Sequence, residues 1–337
     1  MIRAVMIRAV FCCLALLLAI PARAEVNEIR MSKQYGLGYL GMMVMEHQKL
    51  VEKHAAAAGL GTVAVSWRSL TGPSMMVDTM MSGTMDFITP GVPTLITVWD
   101  KTAGTPQEML ALGAIQSMPY VLVMRNPNVR TIKDFTEADR IALPGVKLTG
   151  HALSLEMAAA QVWGFENYDR LDPLTVTRAH PDSATALLSG KSEIDTHFAS
   201  SPFYYYELAR PGMHQVLKSY DVLGGKHTNG VIITSRRFHD ANPKASAAVM
   251  AAVEEANGFI HANPRAAAEI YLAMTGEKLG TLDEMEKMVA DPDVDYTTTP
   301  VRVMPFAEFM FKVGRIKHKP GSWKDFFFPE GQRLAGS

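Results

Sequence analysis

A glycine-rich turn near the N-terminus has residue types and a spacing that can bind phosphate groups. Tyr35–Gly41 reads YGLGYLG, so Gly36, Gly38 and Gly41 form a G-x-G-x-x-G pattern. The preceding EIRMSKQ is typical of a strand and the following residues of a helix, which together outline a dinucleotide-binding turn. In such turns, glycines let the backbone approach a pyrophosphate at the helix N-terminus. Taken alone, the pattern is weak evidence for a nucleotide.

The second predicted strand lacks the acidic residue that holds the ribose of a dinucleotide. TVAVSW ends at Trp67, Arg68 and Ser69, and of these only Arg68 suits a 2′-phosphate. The chain also begins with an export signal, and an exported protein meets little nucleotide. We therefore predict that the turn has another purpose and that the protein uses no cofactor.

The first 24 residues have the features of a secretory signal peptide. Arg3 and Arg8 precede an apolar run, Val10–Ile20, and Ala22 and Ala24 form an A-x-A cleavage signal. The apolar run is too short to span a membrane. We therefore predict export of the chain and cleavage after Ala24.

Composition narrows the chemistry of the mature chain. Both cysteines, Cys12 and Cys13, lie inside the signal, so the mature chain has no disulfide, thiol nucleophile or thiolate metal site. The signal removes three arginines, so 30 of the 33 basic residues remain against 34 acidic ones, a net charge of −4. No basic stripe indicates nucleic-acid binding. The remaining length exceeds one typical hydrophobic core, which favours two lobes.

The spacing of histidines and nucleophiles does not indicate a metal site or a hydrolase. No two histidines lie four residues apart, and H-E-x-x-H, G-x-S-x-G and S-x-x-K motifs are absent from the sequence. We predict neither a metal site nor an enzyme, although a secreted enzyme with a dispersed active site stays open. His151, His180 and His197 each lie at a predicted strand end or helix start, where side chains line clefts.

Short apolar runs alternate with helical patterns, which predicts an α/β fold. The predicted strands are TVAVSW, DFITPG, MLALGAI, YVLVMR, RIALPG, LTVTRA, IDTHFA and GVIITS. The predicted helices cover residues 40–58, 74–82, 153–163, 184–189 and 243–261.

Two segments repeat one design. PSMMVDTMMSGTMDFITPGVP and PDSATALLSGKSEIDTHFASSP each contain a proline, a short helix, a Ser-Gly stop and an acidic residue that opens a strand. Proline in the first turn and glycine after the last are expected punctuation for a helix. The repeat favours two similar lobes that offer strand ends and helix N-termini to a shared cleft, although any two α/β units share some of this pattern.

Three loops before predicted helices combine glycine with small polar residues. Their sequences are SLTGPSMM, GVKLTGHALS and RAHPDSA. Free backbone N–H groups at a helix N-terminus favour an anion. Ordinary helix capping explains any one of these loops, whereas three of them in an exported chain favour ligand binding.

The repeated segments resemble those of a known family. VSWRSLTGPSMMVDTMMSGTMDFITPGVP is similar to V-x-W-x-x-x-x-G-P…S-G-x-x-D-F…G-x-x-P, and HPDSATALLSGKSEIDTHFASSPFYY is similar to P-x-x-A…G-x-x-D-A…P-Y. These patterns are typical of the periplasmic substrate-binding proteins of nitrate/sulfonate/taurine-type ABC transporters, the NMT1/THI5-like or SsuA-like family. The ending KHKPGSWKDFFFPE also resembles this group, so the resemblance covers roughly Ile29–Pro329.

The resemblance implies an α/β, two-lobe periplasmic-binding-protein fold of type II, with crossing hinge strands between the lobes. Carried over, residues 25–116 and 225–337 form lobe 1, and residues 117–224 form lobe 2. The ligand-contacting positions that it implies are Tyr35, Gly36, Arg68, Ser69, Thr71, Gly72, Thr89, Pro90, Gly91, Ser117, Thr149, Gly150, His151, His197 and Ser200.

The resemblance further implies a periplasmic, monomeric solute-binding component of an ABC importer, with an inner-membrane permease as its partner and no nucleic acid. The ligand expected is a small organic anion such as a sulfonate or carboxylate. Arg68, Lys147, His151 and His197 are the candidates to pair with its charge.

The chain departs from the family pattern in two ways. His197 and Ser200 stand where sulfonate binders of this type often have tryptophans, which argues against an alkanesulfonate. A mature chain without cysteine argues against the pyrimidine-forming enzymes of the family, which rely on a cysteine-rich motif. A pyrimidine-like or other heterocyclic ligand, and a role as a ligand-presenting sensor subunit, remain open alternatives.

Overall fold

The computed structural model describes residues 25–70 and 72–337. The predicted signal peptide and the candidate Thr71 lie outside the described residues. Within the described ranges, no helix is both long and apolar enough to cross a membrane.

Nine strands form three sheets in the described part of the chain. The strands are β1 (Glu28–Lys33), β2 (Ala64–Ser69), β3 (Met109–Ser117), β4 (Val121–Met124), β5 (Ile141–Leu143), β6 (Thr175–Thr177), β7 (Thr196–Ala199), β8 (His214–Lys218) and β9 (Thr228–Ser235). β1 pairs with β2 in parallel and β3 with β9 antiparallel, while the third sheet is mixed and has the order β6-β5-β7-β4-β8.

Helices connect and cover these sheets. They are α1 (Leu40–Gln48), α2 (Leu50–Ala57), α3 (Pro73–Met81), α4 (Val92–Thr102), α5 (Gly150–Trp163), α6 (His180–Ser189), α7 (Phe203–Leu208), α8 (Ser219–Leu223), α9 (Arg236–Ala241), α10 (Pro243–Ala262), α11 (Pro264–Thr275), α12 (Leu282–Val289), α13 (Met304–Lys312) and α14 (Pro329–Gln332). Short 3-10 turns lie at Leu37–Tyr39, Ile132–Asp134, Phe165–Asn167, Asp172–Leu174 and Trp323–Phe326.

The β3–β9 pair links the two halves of the structure. Every residue of β3 is buried, and its C-terminal end leads into β4 of the five-stranded sheet. The chain leaves that sheet through β8 and α8 and returns along β9, antiparallel to β3. At this crossing the backbone of Ser117 exchanges two hydrogen bonds with Asp295, of 2.7 and 2.8 Å. Two neighbouring crossings of the chain therefore join the halves.

Two sequence-based element predictions are wrong, and several elements were not predicted. The helix predicted over residues 40–58 is two helices, because Lys49 adopts a left-handed backbone with φ of 54°. DFITPG forms no ladder; instead, Phe87 bridges to Met31 of β1 and Ile88 to Ile233 of β9. The segment thus joins two sheets with single bridges. β8 was not predicted, since HQVLK lacks a strong apolar alternation.

The repeated segments occupy matching positions in the two halves. Asp86 accepts a hydrogen bond from the backbone N–H of Arg30 at 2.9 Å, and Asp195 accepts one from the backbone N–H of Arg140 at 3.0 Å. The residues that directly follow each of these pairs are also paired with each other: Met31 with Phe87, and Ile141 with Thr196. In both places the acidic residue therefore fixes how the extended segment after the short helix aligns with the neighbouring strand.

Candidate functional site

A cleft lies between the turn after β1 and the loops that precede α5 and follow β7, and we call it the central cleft. It encloses about 60 Å³, which is room for about four to six water molecules. Its lining comes from the turn after β1, the start of α4 and the start of β9 on one side, and from the starts of α5 and α6 and the loop after β7 on the other. The polar lining residues are Gln34, Tyr35, Tyr39, Thr94, Tyr120, Thr149, His151, His180, Ser200, Ser201 and Asn229.

The glycines of the N-terminal turn make close packing contacts. Gly36 has φ of +100°, and a Cβ there would lie 2.9 Å from the carbonyl oxygen of Ser201 on the opposite side of the cleft. A Cβ on Gly38 would lie 2.8 Å from the amide nitrogen of Gln116, and one on Gly41 would lie 3.3 Å from Asn257. The turn therefore brings its backbone against neighbouring protein groups, with Gly38 and Tyr35 at the cleft surface.

The N-terminus of α5 points into the central cleft. Thr149 caps it, because its Oγ1 accepts a hydrogen bond from Ala152 N–H at 3.3 Å and donates one to the Gly145 carbonyl at 2.8 Å. The N–H groups of Gly150 and His151 precede the first intrahelical bond and have no partner among the described residues. Only glycine fits at position 150, since a Cβ would lie 2.3 Å from the Tyr120 hydroxyl.

His151 forms the wall of the cleft beside this helix start. Its ring lies over that of Tyr120, with centroids 3.9 Å apart, and its Nε2 is 2.9 Å from Ser200 Oγ. Burial lowers the pKa of His151 well below its ordinary value, and the neighbouring His180 adds to the effect. His151 is therefore a neutral hydrogen-bonding group at neutral pH.

A buried chain of side chains leads away from the cleft. His180 lines the cleft, and its Nδ1 is 2.8 Å from Nε2 of His197, whose Nδ1 is 2.6 Å from Glu207 Oε1. His197 and Glu207 are both fully buried. Burial lowers the pKa of His197 to about 3 and raises the pKa of the Glu207 carboxyl well above its usual range. Burial also lowers the pKa of His180 well below its ordinary value, so burial favours the neutral form of all three groups.

Three polar atoms of cleft residues are buried and have no hydrogen-bond partner among the described residues. They are His151 Nδ1, Ser201 Oγ and Asn229 Nδ2. A buried polar group left without a partner costs about 1–3 kcal/mol. The three residues line the cleft from both sides, but the three atoms themselves are shielded from solvent, so a rearrangement on binding would be needed to give them a partner.

Several implied site residues lie elsewhere. Arg68 and Ser69 are exposed at the end of β2 and do not line the central cleft. Thr89 is buried and bonds to the Ser32 backbone at 2.9 Å. Ser117 is buried at the β3–β9 crossing. His197 is behind His180 and reaches the cleft only through it.

The remaining implied residues divide between the cleft and its surroundings. Gly91, Thr149, Gly150, His151 and Ser200 line the cleft together with Tyr35. Gly72 and Pro90 do not line it: Gly72 borders a neighbouring surface groove, and the Pro90 carbonyl accepts a hydrogen bond from Val231 N–H at 3.0 Å.

The polar cleft residues that the sequence did not single out include Tyr39, Tyr120, Ser201 and Asn229. Tyr39 belongs to the glycine-rich turn, of which only Tyr35 and Gly36 were expected to contact a ligand. Tyr120 directly precedes β4, while Ser201 and Asn229 adjoin predicted strands. A strand-end position was the available signal for all but Tyr39, since ligands in α/β sheets bind at strand ends.

The lining of the cleft carries no formal charge in the described part of the chain. Its residues include histidine, tyrosine, serine, threonine and amides, but no Lys, Arg, Asp or Glu. Lys147, a candidate for charge pairing, is 62% exposed and lies 3.8 Å from the Asp172 carboxylate. Backbone N–H groups and neutral side chains are therefore the donors that the cleft offers.

Solved structures of similar shape cover most of the chain. The alkanesulfonate-binding protein SsuA of Xanthomonas axonopodis pv. citri, bound to MOPS, matches with a TM-score of 0.67 at 16% identity, over 88% of this chain and 96% of that one. SsuA of Escherichia coli, which binds aliphatic sulphonates, gives a TM-score of 0.65 at 17% identity, over 90% and 99%. The nitrate-binding protein NrtA of Synechocystis PCC 6803 gives 0.67 at 15% identity, over 89% and 84%. The chain has the periplasmic binding protein fold.

The periplasmic binding protein fold predicted from the sequence is thus confirmed. No protein family model and no curated protein sequence matches the chain. At identities of 12–17% a shared fold does not carry a ligand from one protein to another, because function resides in the particular side chains of the site.

Proposed function

We propose that this protein is the periplasmic solute-binding component of an ABC importer and that it binds a small organic anion in the central cleft. The observation that carries the proposal is the set of unpartnered donors around the cleft. Gly150 N–H and His151 N–H lie at the start of α5, and Asn229, whose Nδ2 is buried without a partner among the described residues, lines the other side of the cleft. A helix N-terminus with free N–H groups favours an anion even without a cationic side chain.

The proposal includes the lobe boundaries implied by the sequence. Residues 25–116 and 225–337 form one lobe and residues 117–224 the other, with the β3–β9 crossing as the hinge. Ligand binding to both lobes would shift the protein toward a closed form. The Leu37 N–H donates a hydrogen bond of 2.9 Å to the Ser201 carbonyl across the proposed boundary, a contact that a closed form would make and an open form would lose.

The rest of the proposal concerns the setting of the protein. We place the mature chain in the periplasm after cleavage behind Ala24, as a monomer that delivers its ligand to an inner-membrane permease without catalysis. A ligand-presenting sensor subunit would use the same cleft, and a pull-down of membrane partners would distinguish the two roles.

A neutral heterocycle is the second candidate ligand. It is favoured by the uncharged lining and by the rings of Tyr39, Tyr120 and His151 at the cleft. Aromatic rings suit a planar ligand, and neutral donors and acceptors suit its polar edge.

Isothermal titration with near-isosteric pairs separates the two ligand classes. Methanesulfonate is compared with methanesulfonamide, acetate with acetamide, and cytosine serves as the heterocycle. We expect an anion to bind more tightly than its neutral partner, and saturating anion at a hundred times its dissociation constant to stabilise the protein by about 2.7 kcal/mol. Equal binding within each pair, or binding of cytosine alone, would refute the anion proposal.

Two serines give a matched control for the site. Ser201 Oγ at the cleft and Ser246 Oγ in α10 are both buried without a hydrogen-bond partner among the described residues. Ser201→Ala is expected to weaken ligand binding with little loss of stability, and Ser246→Ala to leave both unchanged. If the two variants bind alike, the Ser201 side of the cleft does not hold the ligand.

A further inference from the structure

In the buried chain formed by His180, His197 and Glu207, the two hydrogen bonds must point the same way, either both toward the cleft or both away from it. Each neutral imidazole carries one N–H donor and one bare acceptor nitrogen. Because His197 contacts a partner through both ring nitrogens, the location of its proton determines which neighbour donates and which accepts. The state of Glu207 is thereby transmitted to His180.

Protonated Glu207 makes every bond in the chain point toward the cleft. Its O–H donates to His197 Nδ1 across 2.6 Å, so the His197 proton lies on Nε2 and is donated to His180 Nδ1 across 2.8 Å. The proton of His180 then lies on Nε2. Among the described residues this Nε2 has no hydrogen-bond partner, and the ring lines the central cleft.

Ionised Glu207 would reverse every bond. The carboxylate would accept from His197 Nδ1–H, His197 Nε2 would accept from His180 Nδ1–H, and His180 Nε2 would face the cleft as a bare acceptor. The two states differ by one proton, which resides on Glu207 in the first and is lost to solvent in the second.

The surroundings favour the protonated carboxyl. Glu207 Oε2 is buried without a partner among the described residues, and β4, α6 and α7 pack apolar side chains such as Val123, Leu187 and Phe203 around the chain. The titratable group that packs against it is His151, whose ring centroid lies 5.0 Å from that of His180 and whose pKa is lowered by burial. No described lysine or arginine bonds to Glu207, so nothing compensates a charge there.

We infer that Glu207, acting through His197, holds His180 as an N–H donor toward the central cleft and thereby selects a ligand with an acceptor atom at that point. Of these three residues, His180 is the one that contacts the ligand, while His197 and Glu207 are positioning residues. The inference rests on the proposed function and narrows it, because a sulfonate or carboxylate oxygen or a carbonyl fits an N–H donor, whereas a donor group of a ligand does not.

The first experiment reads the proton positions without any ligand. Long-range ¹H–¹⁵N spectra of histidine-labelled mature protein at pH 7 report the tautomer of each ring, and His180→Gln and His197→Gln assign the signals. We expect neutral Nε2–H rings for both His180 and His197. An Nδ1–H tautomer or an imidazolium at either position overturns the inference.

The second experiment asks whether His197 sets the state of His180. His197→Phe removes the central link while keeping an aromatic ring. We expect the His180 spectrum to change from one tautomer to a mixture, and methanesulfonate affinity to fall about tenfold or more. His214→Phe is the control, because His214 bonds to the Val129 carbonyl at 2.7 Å and does not line the cleft.

The outcomes separate this inference from the anion proposal. If His180 keeps a single Nε2–H tautomer in His197→Phe, the buried chain does not set its state and the inference falls. If methanesulfonate fails to bind any form of the protein while the spectra follow the expectation, the choice of anion fails and the donor assignment stands. Should His197→Phe not fold, the wild-type spectrum alone decides.

Discussion

Single side chains in this protein combine burial with hydrogen bonds that hold them neutral, and His227 is the clearest case. Its Nδ1 lies 3.1 Å from the Thr228 carbonyl and its Nε2 2.8 Å from Ser219 Oγ, which in turn accepts a bond from Tyr120 N–H. The Nδ1–H tautomer satisfies all of these groups. Burial lowers the pKa of His227 to about 4, so the folded protein resists its protonation.

This shift predicts a loss of stability in acid. Below pH 6.5 the unfolded chain protonates His227 and the folded protein does not, so stability falls as the pH drops from about 6.5 to about 4. The contribution is about 3 kcal/mol. His227→Asn keeps an N–H donor toward Thr228 and should lose about that much less stability than wild type between pH 7 and pH 4.

Urea denaturation at several pH values measures this difference. The replacement removes ring packing against Tyr120 and Phe306, so its stability at pH 7 will be lower, and the comparison concerns only the change with pH. His47→Asn, at an exposed position of α1, should follow the wild-type curve. A His227→Asn curve parallel to wild type would mean that the folded protein protonates His227 in the same pH range as the unfolded chain does.

At the scale of elements, the start of α5 carries more of the site than any other segment. The capping bonds of Thr149 hold the first turn, and the close contact of Gly150 with Tyr120 fixes its distance from β4. The orientation of the free N–H groups at Gly150 and His151 therefore depends on the cap.

A pair of N-cap substitutions separates this role from general stability. Thr149→Ala and Thr281→Ala each remove a capping side chain, at α5 and α12 respectively, and each should cost about 1 kcal/mol in urea denaturation. Only Thr149→Ala should also weaken binding of the anion identified by titration, several-fold, because only its helix faces the cleft. Equal affinities in the two variants would show that the α5 N-terminus does not hold the ligand.

How far the sequence predicts these elements depends on whether the relevant signal is local. The helices at Pro73 and Pro181 and the strand after Asp195 follow from local punctuation, and so does the Thr149 cap. The break at Lys49 does not, because a lysine has no preference for a left-handed backbone and only packing selects it there.

The side chains of the site were harder to predict than the elements. His151 and Ser200, which a predicted strand end and the family resemblance indicated respectively, line the cleft, but Arg68 lies at the end of an outer strand, where the side chain reaches solvent. Tyr120 lines the cleft because it directly precedes β4, in the short segment that connects β3 to β4. Such placement depends on how strands far apart in the chain align, and residue type alone does not contain that information.

At the scale of the whole molecule, the N-terminal turn and the loop after β7 hold the two proposed lobes together. The Leu37 N–H donates to the Ser201 carbonyl at 2.9 Å, and a Cβ on Gly36 would lie 2.9 Å from the same oxygen. Closure of the cleft therefore requires glycine at position 36, both for its φ of +100° and for this approach.

Gly36→Ala is accordingly expected to favour an open form. The matched control is Gly59→Ala, since Gly59 has φ of +80° and nothing within 4 Å of a Cβ, so it introduces backbone strain of about 1 kcal/mol without a contact between lobes. Both variants should lose similar stability. Only Gly36→Ala should increase the radius of gyration measured by small-angle X-ray scattering, and it should weaken ligand binding by about tenfold for each 1.4 kcal/mol added to the free energy of closure. If both variants scatter and bind alike, the contact between Gly36 and Ser201 does not control closure, and the hinge at β3–β9 alone sets the shape of the protein.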